Sequence, residues 1–146
     1  MSQITSYSAE IVLEHVAEGR PLEDDPGWRL LREAVEATAQ EYRGRVGATI
    51  VDYFGRVRPC DISLITAAFP RGLGVVVDRA TGRVAFLYDD YGGYGDVVRR
   101  QINRVTQNFL SLAVAHALRA MNYQVDVEEK AAEVGDEKTV VVRGVL

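Results

Sequence analysis

The sequence is poor in the residues that staple small folds or bind transition metals. Its 146 residues include one cysteine, two histidines and four prolines. Cys60 has no partner for a disulfide within the chain, and so few sulfur and imidazole ligands make a transition-metal site improbable. The N-terminus shows no basic segment followed by an apolar run, and no stretch approaches the roughly 20 apolar residues of a membrane helix. These absences predict a cytoplasmic protein that does not span a membrane.

The composition is that of an ordinary globular domain, with 47% apolar and 26% charged residues. Its length predicts a single domain over residues 1–146 with a core of its own. The net charge of −4 disfavours a nucleic-acid binder, although residues 45–121 carry ten arginines against six acidic side chains. Arginine in that number suits recognition of carboxylate or phosphate, and a codon bias toward arginine explains it equally well.

Helical patterns occupy the first third of the chain. Ser8 can cap a helix over residues 9–18, and with the acidic turn at 22–27 this predicts a helical N-terminal extension over residues 1–27. A second helix begins at Trp28, where apolar residues recur at helical spacing, and ends at Gly44.

From residue 45 the pattern changes to strands and a long helix. Alternating residues and short turns predict antiparallel strands at about 46–53, 57–67, 73–78 and 83–89. A helix over about 97–122, capped by Asp96, follows, and then a strand pair at about 123–129 and 139–145. The order predicts an α+β fold, with a mostly antiparallel sheet of about six strands, two main helices packed on one face and the extra N-terminal helix.

The segment 89–96 is chemically distinctive, since it holds three carboxylates, two phenols and three glycines between a strand and a helix. Asp89, Asp90 and Asp96 are candidate ligands for magnesium or calcium, which would suit a small metal-dependent enzyme. The spacing is not that of an EF-hand, however, and a carboxylate cap opposes phosphate binding at the helix start. Flexible glycines before a capped helix are the simpler interpretation.

No catalytic residue and no cofactor is predicted. Cys60, Asp61 and His116 could form a nucleophile, an acid and a base, but Cys60 shares its predicted strand face with Ile62 and Leu64. His116 continues the apolar stripe of the long helix, so both side chains are expected in the core.

The same loop and the helix after it predict a binding surface. Tyr91, Tyr94, Arg99, Arg100 and Arg104 bring aromatic rings and cations together, as interface cores do, although the arginines could equally form an ordinary solvated face. The favoured hypothesis is a non-enzymatic binding or adaptor domain that contacts a protein partner. The alternatives are the metal-dependent enzyme and nucleic-acid binding by the arginine-rich middle. Self-association through the C-terminal hairpin, at 138–146, is a further expectation.

Four short segments within residues 28–145 carry a resemblance to a known family, which extends these expectations. They are Tyr53-Phe54-Gly55-Arg56, Leu73-Gly74-Val75-Val76, Ile102-Asn103-Arg104-Val105-Thr106-Gln107 and Met121-Asn122-Tyr123-Gln124-Val125. On these the chain resembles the hypothetical chloroplast reading frame thirty-five family, a domain of unknown function in plastids, cyanobacteria and other prokaryotes. The helix at 9–18 and the acidic glycine-tyrosine loop depart from that pattern. The resemblance implies the fold and no particular activity.

Overall fold

The computed structural model describes residues 4–121 in full and, for residues 124–131 and 138–145, the course and pairing of the strands. These residues form an α+β structure with a five-stranded antiparallel sheet and three α-helices. In chain order the elements are β1 (Ile4–Val12), α1 (Glu14–Ala17), a 3-10 turn (Leu22–Asp24), α2 (Pro26–Glu41), β2 (Arg45–Val51), β3 (Val57–Ile65), β4 (Leu73–Val77), β5 (Arg83–Asp89), α3 (Gly95–Ala120), β6 (Gln124–Ala131) and β7 (Lys138–Val145).

The chain enters the fold as a strand, so the helix predicted over residues 9–18 is wrong. β1 pairs antiparallel with β5, and α1 is a single helical turn whose N-cap is Leu13, not Ser8. An isolated helix of about ten residues is marginal in water, whereas the edge of β5 offers main-chain hydrogen bonds and burial. Ile11 and Leu13 are accordingly part of the core. The part of the predicted helical extension that forms β1 is thus built into the sheet.

The second predicted helix is confirmed as α2. Asp25 caps it, because its Oδ1 accepts hydrogen bonds from the amides of Gly27 at 2.8 Å and Trp28 at 3.3 Å, and Pro26 occupies the first turn. The helix ends at Glu41, a little before Gly44. Its buried face consists of Trp28, Leu31, Ala34, Val35, Thr38 and Ala39.

The strand order across the sheet is β1-β5-β4-β3-β2, and every neighbouring pair is antiparallel. The four strands predicted between residues 45 and 89 are confirmed. The six-stranded sheet is not, because the terminal hairpin does not join it: β6 pairs with β7 in a separate two-stranded sheet, with Gln124 opposite Val145. β1 takes the place beside β5.

Both long helices contribute to one apolar core. Trp28, Leu31 and Val35 of α2 and Val98 and Ile102 of α3 belong to the same cluster as alternate residues of the central strands, namely Leu64, Leu73, Val75, Val84 and Phe86. The predicted stripe on α3 is buried at its start and only partly buried from Phe109 onward. Among the described residues no helix, α3 included, combines the length and apolar character needed to cross a membrane.

The hairpin of β2 and β3 bends over the face of the sheet away from this core. Its register shifts between Gly47 and Thr49, and an irregularity of this kind bends and twists a strand. Beyond it, the Val51 amide donates a hydrogen bond of 2.9 Å to the Arg71 carbonyl. A Cβ atom at Gly74 would lie 3.2 Å from Ile50 Cγ2, so the absence of a side chain there permits this close approach. The tip of the hairpin thereby comes to lie beside the end of β5.

Candidate binding site

Asp89 joins the two loops of the site. It is the last residue of β5 and is completely buried. One carboxylate oxygen, Oδ2, accepts a hydrogen bond of 2.9 Å from the Tyr53 amide in the β2–β3 turn. The other, Oδ1, accepts one of 3.0 Å from the Tyr91 amide in the β5–α3 loop. A single buried carboxylate therefore fixes the position of one loop relative to the other.

Arg71 provides the positive charge beside this carboxylate. Its Nη1 lies 3.6 Å from Asp89 Oδ1 and donates hydrogen bonds to the carbonyls of Tyr91 at 2.6 Å and Asp89 at 3.2 Å. The guanidinium carbon is 5.4 Å from the centre of the Tyr53 ring and 5.0 Å from that of Tyr94. Since only 16% of the Arg71 side chain is exposed, this arginine is an internal brace between the loops and not a surface cation.

Asp52 holds the β2–β3 turn in the same way. Its Oδ1 accepts hydrogen bonds of 2.9 Å from the amides of Phe54 and Arg56, and its Oδ2 accepts one of 2.7 Å from Arg56 Nε. Desolvation of the carboxylate raises its pKa, but the hydrogen bonds and charge of Arg56 outweigh that effect and leave the pKa of Asp52 below its ordinary value. The turn is ordered around an ionised Asp52.

Three aromatic rings lie exposed on these braced loops. Tyr53 is 49% exposed, Phe54 61% and Tyr91 38%. The Tyr53 ring centre lies 5.2 Å from that of Phe54 and 4.7 Å from that of Tyr91, at interplanar angles of 78° and 72°. We call these three residues the aromatic patch. Tyr94, in contrast, is turned inward against Phe69, with ring centres 5.3 Å apart.

The arginines predicted to bind a partner have different environments. Arg99 is exposed and lies 3.3 Å from Asp96, and Arg100 is exposed on the same turn of α3. Arg104 is 7% exposed and forms a two-pronged ion pair with Glu41 of α2, Nε to Oε2 at 2.6 Å and Nη2 to Oε1 at 2.9 Å. Arg104 thus joins α2 to α3, and the structure removes it from the predicted surface patch.

The three carboxylates proposed for a metal do not converge. Asp89 is used by the loop amides and Arg71, whereas the Asp96 side chain is 77% exposed and bonds Arg99. Asp96 makes no capping hydrogen bond; the N-cap position of α3 belongs to Tyr94. One buried oxygen of Asp90 has no hydrogen-bond partner. Within the described part of the chain, no group of three or more acidic, histidine or cysteine side chains is arranged to hold a metal ion.

Cys60 and His116 are also placed differently from the expectation. The register shift between β2 and β3 turns Cys60 away from Ile62 and the core. The Cβ atom of Cys60 instead faces Gly74, on the side of the sheet that the hairpin covers. Burial raises the pKa of the Cys60 thiol, which makes it a poor nucleophile at neutral pH. His116 is exposed on α3.

Several residues of the site were not singled out as functional from the sequence. The pair Tyr53-Phe54 beside a glycine turn was a detectable signal, because large aromatic residues at a hairpin tip have little core to enter. Asp52 was also detectable, because an aspartate at the start of a turn commonly accepts hydrogen bonds from the amides that follow it. Arg71 carried no such signal, since its partners lie 18 and 20 residues further along the chain.

Comparisons with known proteins found no matching family model, no similar curated protein and no similar solved structure.

Proposed function

We propose that this chain is a non-enzymatic binding or adaptor domain of a cytosolic protein, and that it contacts a protein partner. The contact surface is the aromatic patch together with the exposed arginines at the start of α3, Arg99 and Arg100. The observation that carries the proposal is the contact of three exposed rings contributed by two separate loops.

Aromatic residues and arginine are enriched where protein interfaces bury most of their binding energy. Single exposed apolar side chains are normal on any protein, whereas adjacent ones favour an interaction site. The rings of Tyr53, Phe54 and Tyr91 satisfy that condition. Because Asp89 and Arg71 already hold both loops, little conformational entropy is lost on binding. Rigid aromatic rings on a braced support are suited to recognition more than to proton transfer.

Affinity capture from cell extract with quantitative mass spectrometry tests the proposal. The double variant Tyr53→Ala/Tyr91→Ala is expected to lose its captured partner by about tenfold or more, as hot-spot residues do. Leu110→Ala is the matched control, because Leu110 is 53% exposed on a distant part of α3. A separate Arg100→Ala variant tests the start of α3. Equal recovery by wild type and the double variant would exclude the aromatic patch.

The resemblance to the hypothetical chloroplast reading frame thirty-five family belongs to the same proposal and adds no activity to it. Self-association through the C-terminal hairpin also stays a prediction, since the side chains concerned lie outside the described residues. Light scattering over a concentration series tests it; a monomer at every concentration would contradict it.

Nucleic-acid binding is a second candidate, favoured by the combination of exposed rings with an arginine-rich middle segment. Arginines at positions 71, 79, 99 and 104 are, however, already paired with carboxylates. Paired cations release few counterions from phosphate, so a single-stranded oligonucleotide is expected to bind weakly and with a shallow salt dependence. A steep loss of binding with salt in a gel-shift titration would favour this candidate instead.

A further inference from the structure

The guanidinium of Arg56 is held on two sides while its outer end faces solvent. Its Nε donates a 2.7 Å hydrogen bond to Asp52 Oδ2, and its carbon lies 5.3 Å from the centre of the Phe54 ring. The side chain is nevertheless 69% exposed. Its two terminal Nη groups make no hydrogen bond to any residue that the structure describes. The outer half of this arginine is therefore both oriented and available to a ligand.

The ion pair that orients Arg56 also directs its charge outward. The Asp52 side chain is 1% exposed, and both of its oxygens accept hydrogen bonds from residues of the turn. The negative end of the ion pair is therefore buried, and the positive end faces solvent. Arg58, on the same hairpin, is exposed as well. Asp89, whose two oxygens hold both loops of the aromatic patch, is buried and bonded to loop amides. The solvent-facing charge of the hairpin is consequently positive.

We propose that the partner presents an acidic peptide segment to the aromatic patch. A carboxylate of that segment accepts hydrogen bonds from the two Nη groups of Arg56, and a neighbouring apolar side chain packs on Phe54 and Tyr53. This inference rests on the proposed function and adds the chemistry of the partner. A planar guanidinium fixed at Nε presents a fork that matches a carboxylate, and hydrogen bonds between ionised groups are the stronger ones.

A nucleic acid fits these observations less well than an acidic peptide. Its backbone is bound by neutralising several phosphates, whereas the hairpin offers one oriented fork, and the chain has a net charge of −4. An acidic peptide needs only one oriented cation and an apolar surface beside it. The hairpin provides both, in Arg56 and the exposed rings.

The experiment is selection from a displayed random peptide library on the full chain, followed by affinity measurements with synthetic peptides. Selected peptides are expected to contain Glu or Asp beside an apolar residue. Replacing that acidic residue by Gln or Asn in the peptide should weaken binding to the wild type by about tenfold. The same replacement should leave the affinity for the Arg56→Gln variant unchanged. Because the change is made in the peptide, the wild-type arm does not depend on how a variant folds.

The outcomes separate this inference from the proposed function. Peptides without acidic residues that bind wild type and Arg56→Gln equally, but lose affinity for Tyr53→Ala/Tyr91→Ala, would overturn the acidic partner and leave the aromatic patch in place. Peptides whose affinity is unaffected by any of these variants would overturn both. An oligouridine that displaces every selected peptide from the patch would overturn the choice of partner class. A peptide that needs its acidic residue for binding, and that binds Arg56→Gln more weakly than wild type, would support the acidic partner.

Discussion

The Asp89 carboxylate accepts a hydrogen bond from the Tyr53 amide across a separation of 36 residues in the chain. This contact ties the end of β5 to the turn between β2 and β3. It exists because the hairpin bends over the sheet at its register shift and brings the turn to the strand end. The aromatic patch is a consequence of that bend.

The brace formed by Arg71 is expected to be necessary for the stability of both loops. Arg71→Gln leaves the buried Asp89 without its neighbouring cation, and breaking such a pair by removing one partner costs about 3 kcal/mol of unfolding free energy. Denaturant unfolding measures this cost. Arg99→Gln, whose ion pair is exposed on both sides, should cost less than about 1 kcal/mol. Equal losses in the two variants would show that Arg71 is not a brace.

A side chain at Gly74 should oppose the bend of the hairpin. In Gly74→Ala the new methyl group would lie 3.2 Å from Cys60 Cβ, Ile50 Cγ2 and the Leu87 carbonyl, and crowding of this kind costs about 1–3 kcal/mol. Gly95→Ala is the control, because a Cβ atom there meets nothing within 4 Å. Thermal unfolding should show a lower midpoint for the first variant only; an unchanged midpoint for Gly74→Ala would contradict the close approach.

The ion pair between Arg104 and Glu41 should contribute to the joining of α2 and α3. Arg104→Gln is expected to lower the unfolding free energy by about 1.5 kcal/mol, because it removes the two charged hydrogen bonds that join the helices, while solvent still reaches Glu41, whose side chain is 35% exposed. Arg32→Gln provides the comparison, since its contacts with Glu23 and Glu36 are exposed and longer, at 3.6 and 3.9 Å. If Arg104→Gln unfolded like wild type, the ion pair between Arg104 and Glu41 would contribute nothing to the joining of the two helices.

Stability should fall in acid partly through Asp52. Its pKa is lower in the folded state than in the unfolded chain, where an aspartate titrates at about 4. The group therefore stabilises the fold above that unfolded value, and its contribution is lost as the pH falls through the folded pKa. Denaturant midpoints between about pH 5 and pH 2 measure the slope. Asp52→Asn should flatten it; a slope identical to that of the wild type would be inconsistent with this role.

Much of the regular structure follows from local pattern. α2 and the strands from β2 to β5 were predictable because helical or alternating spacing of apolar residues reflects burial of one face, and capping residues and turn glycines mark the ends. The prediction for the segment that forms β1 failed because its structure depends on distant residues. Its strand pairing is with β5, more than seventy residues later, and residues 9–18 carry helical signals of their own.

The candidate site was predictable in one loop only. The sequence pointed to Tyr91, because aromatic and glycine residues in a strand-to-helix loop are conspicuous. It did not reveal that Arg104 would turn inward, since Glu41 lies 63 residues away, nor that Cys60 would change faces at an irregularity in its strand.

By itself, then, the sequence determined the fold class, the helices α2 and α3 and the four consecutive strands, because these depend on interactions among near neighbours in the chain. Only the tertiary structure decided which loops meet, which arginines are consumed in ion pairs and which rings stay in solvent. Those outcomes depend on the path of a bent hairpin and on buried charges that must find partners from distant segments.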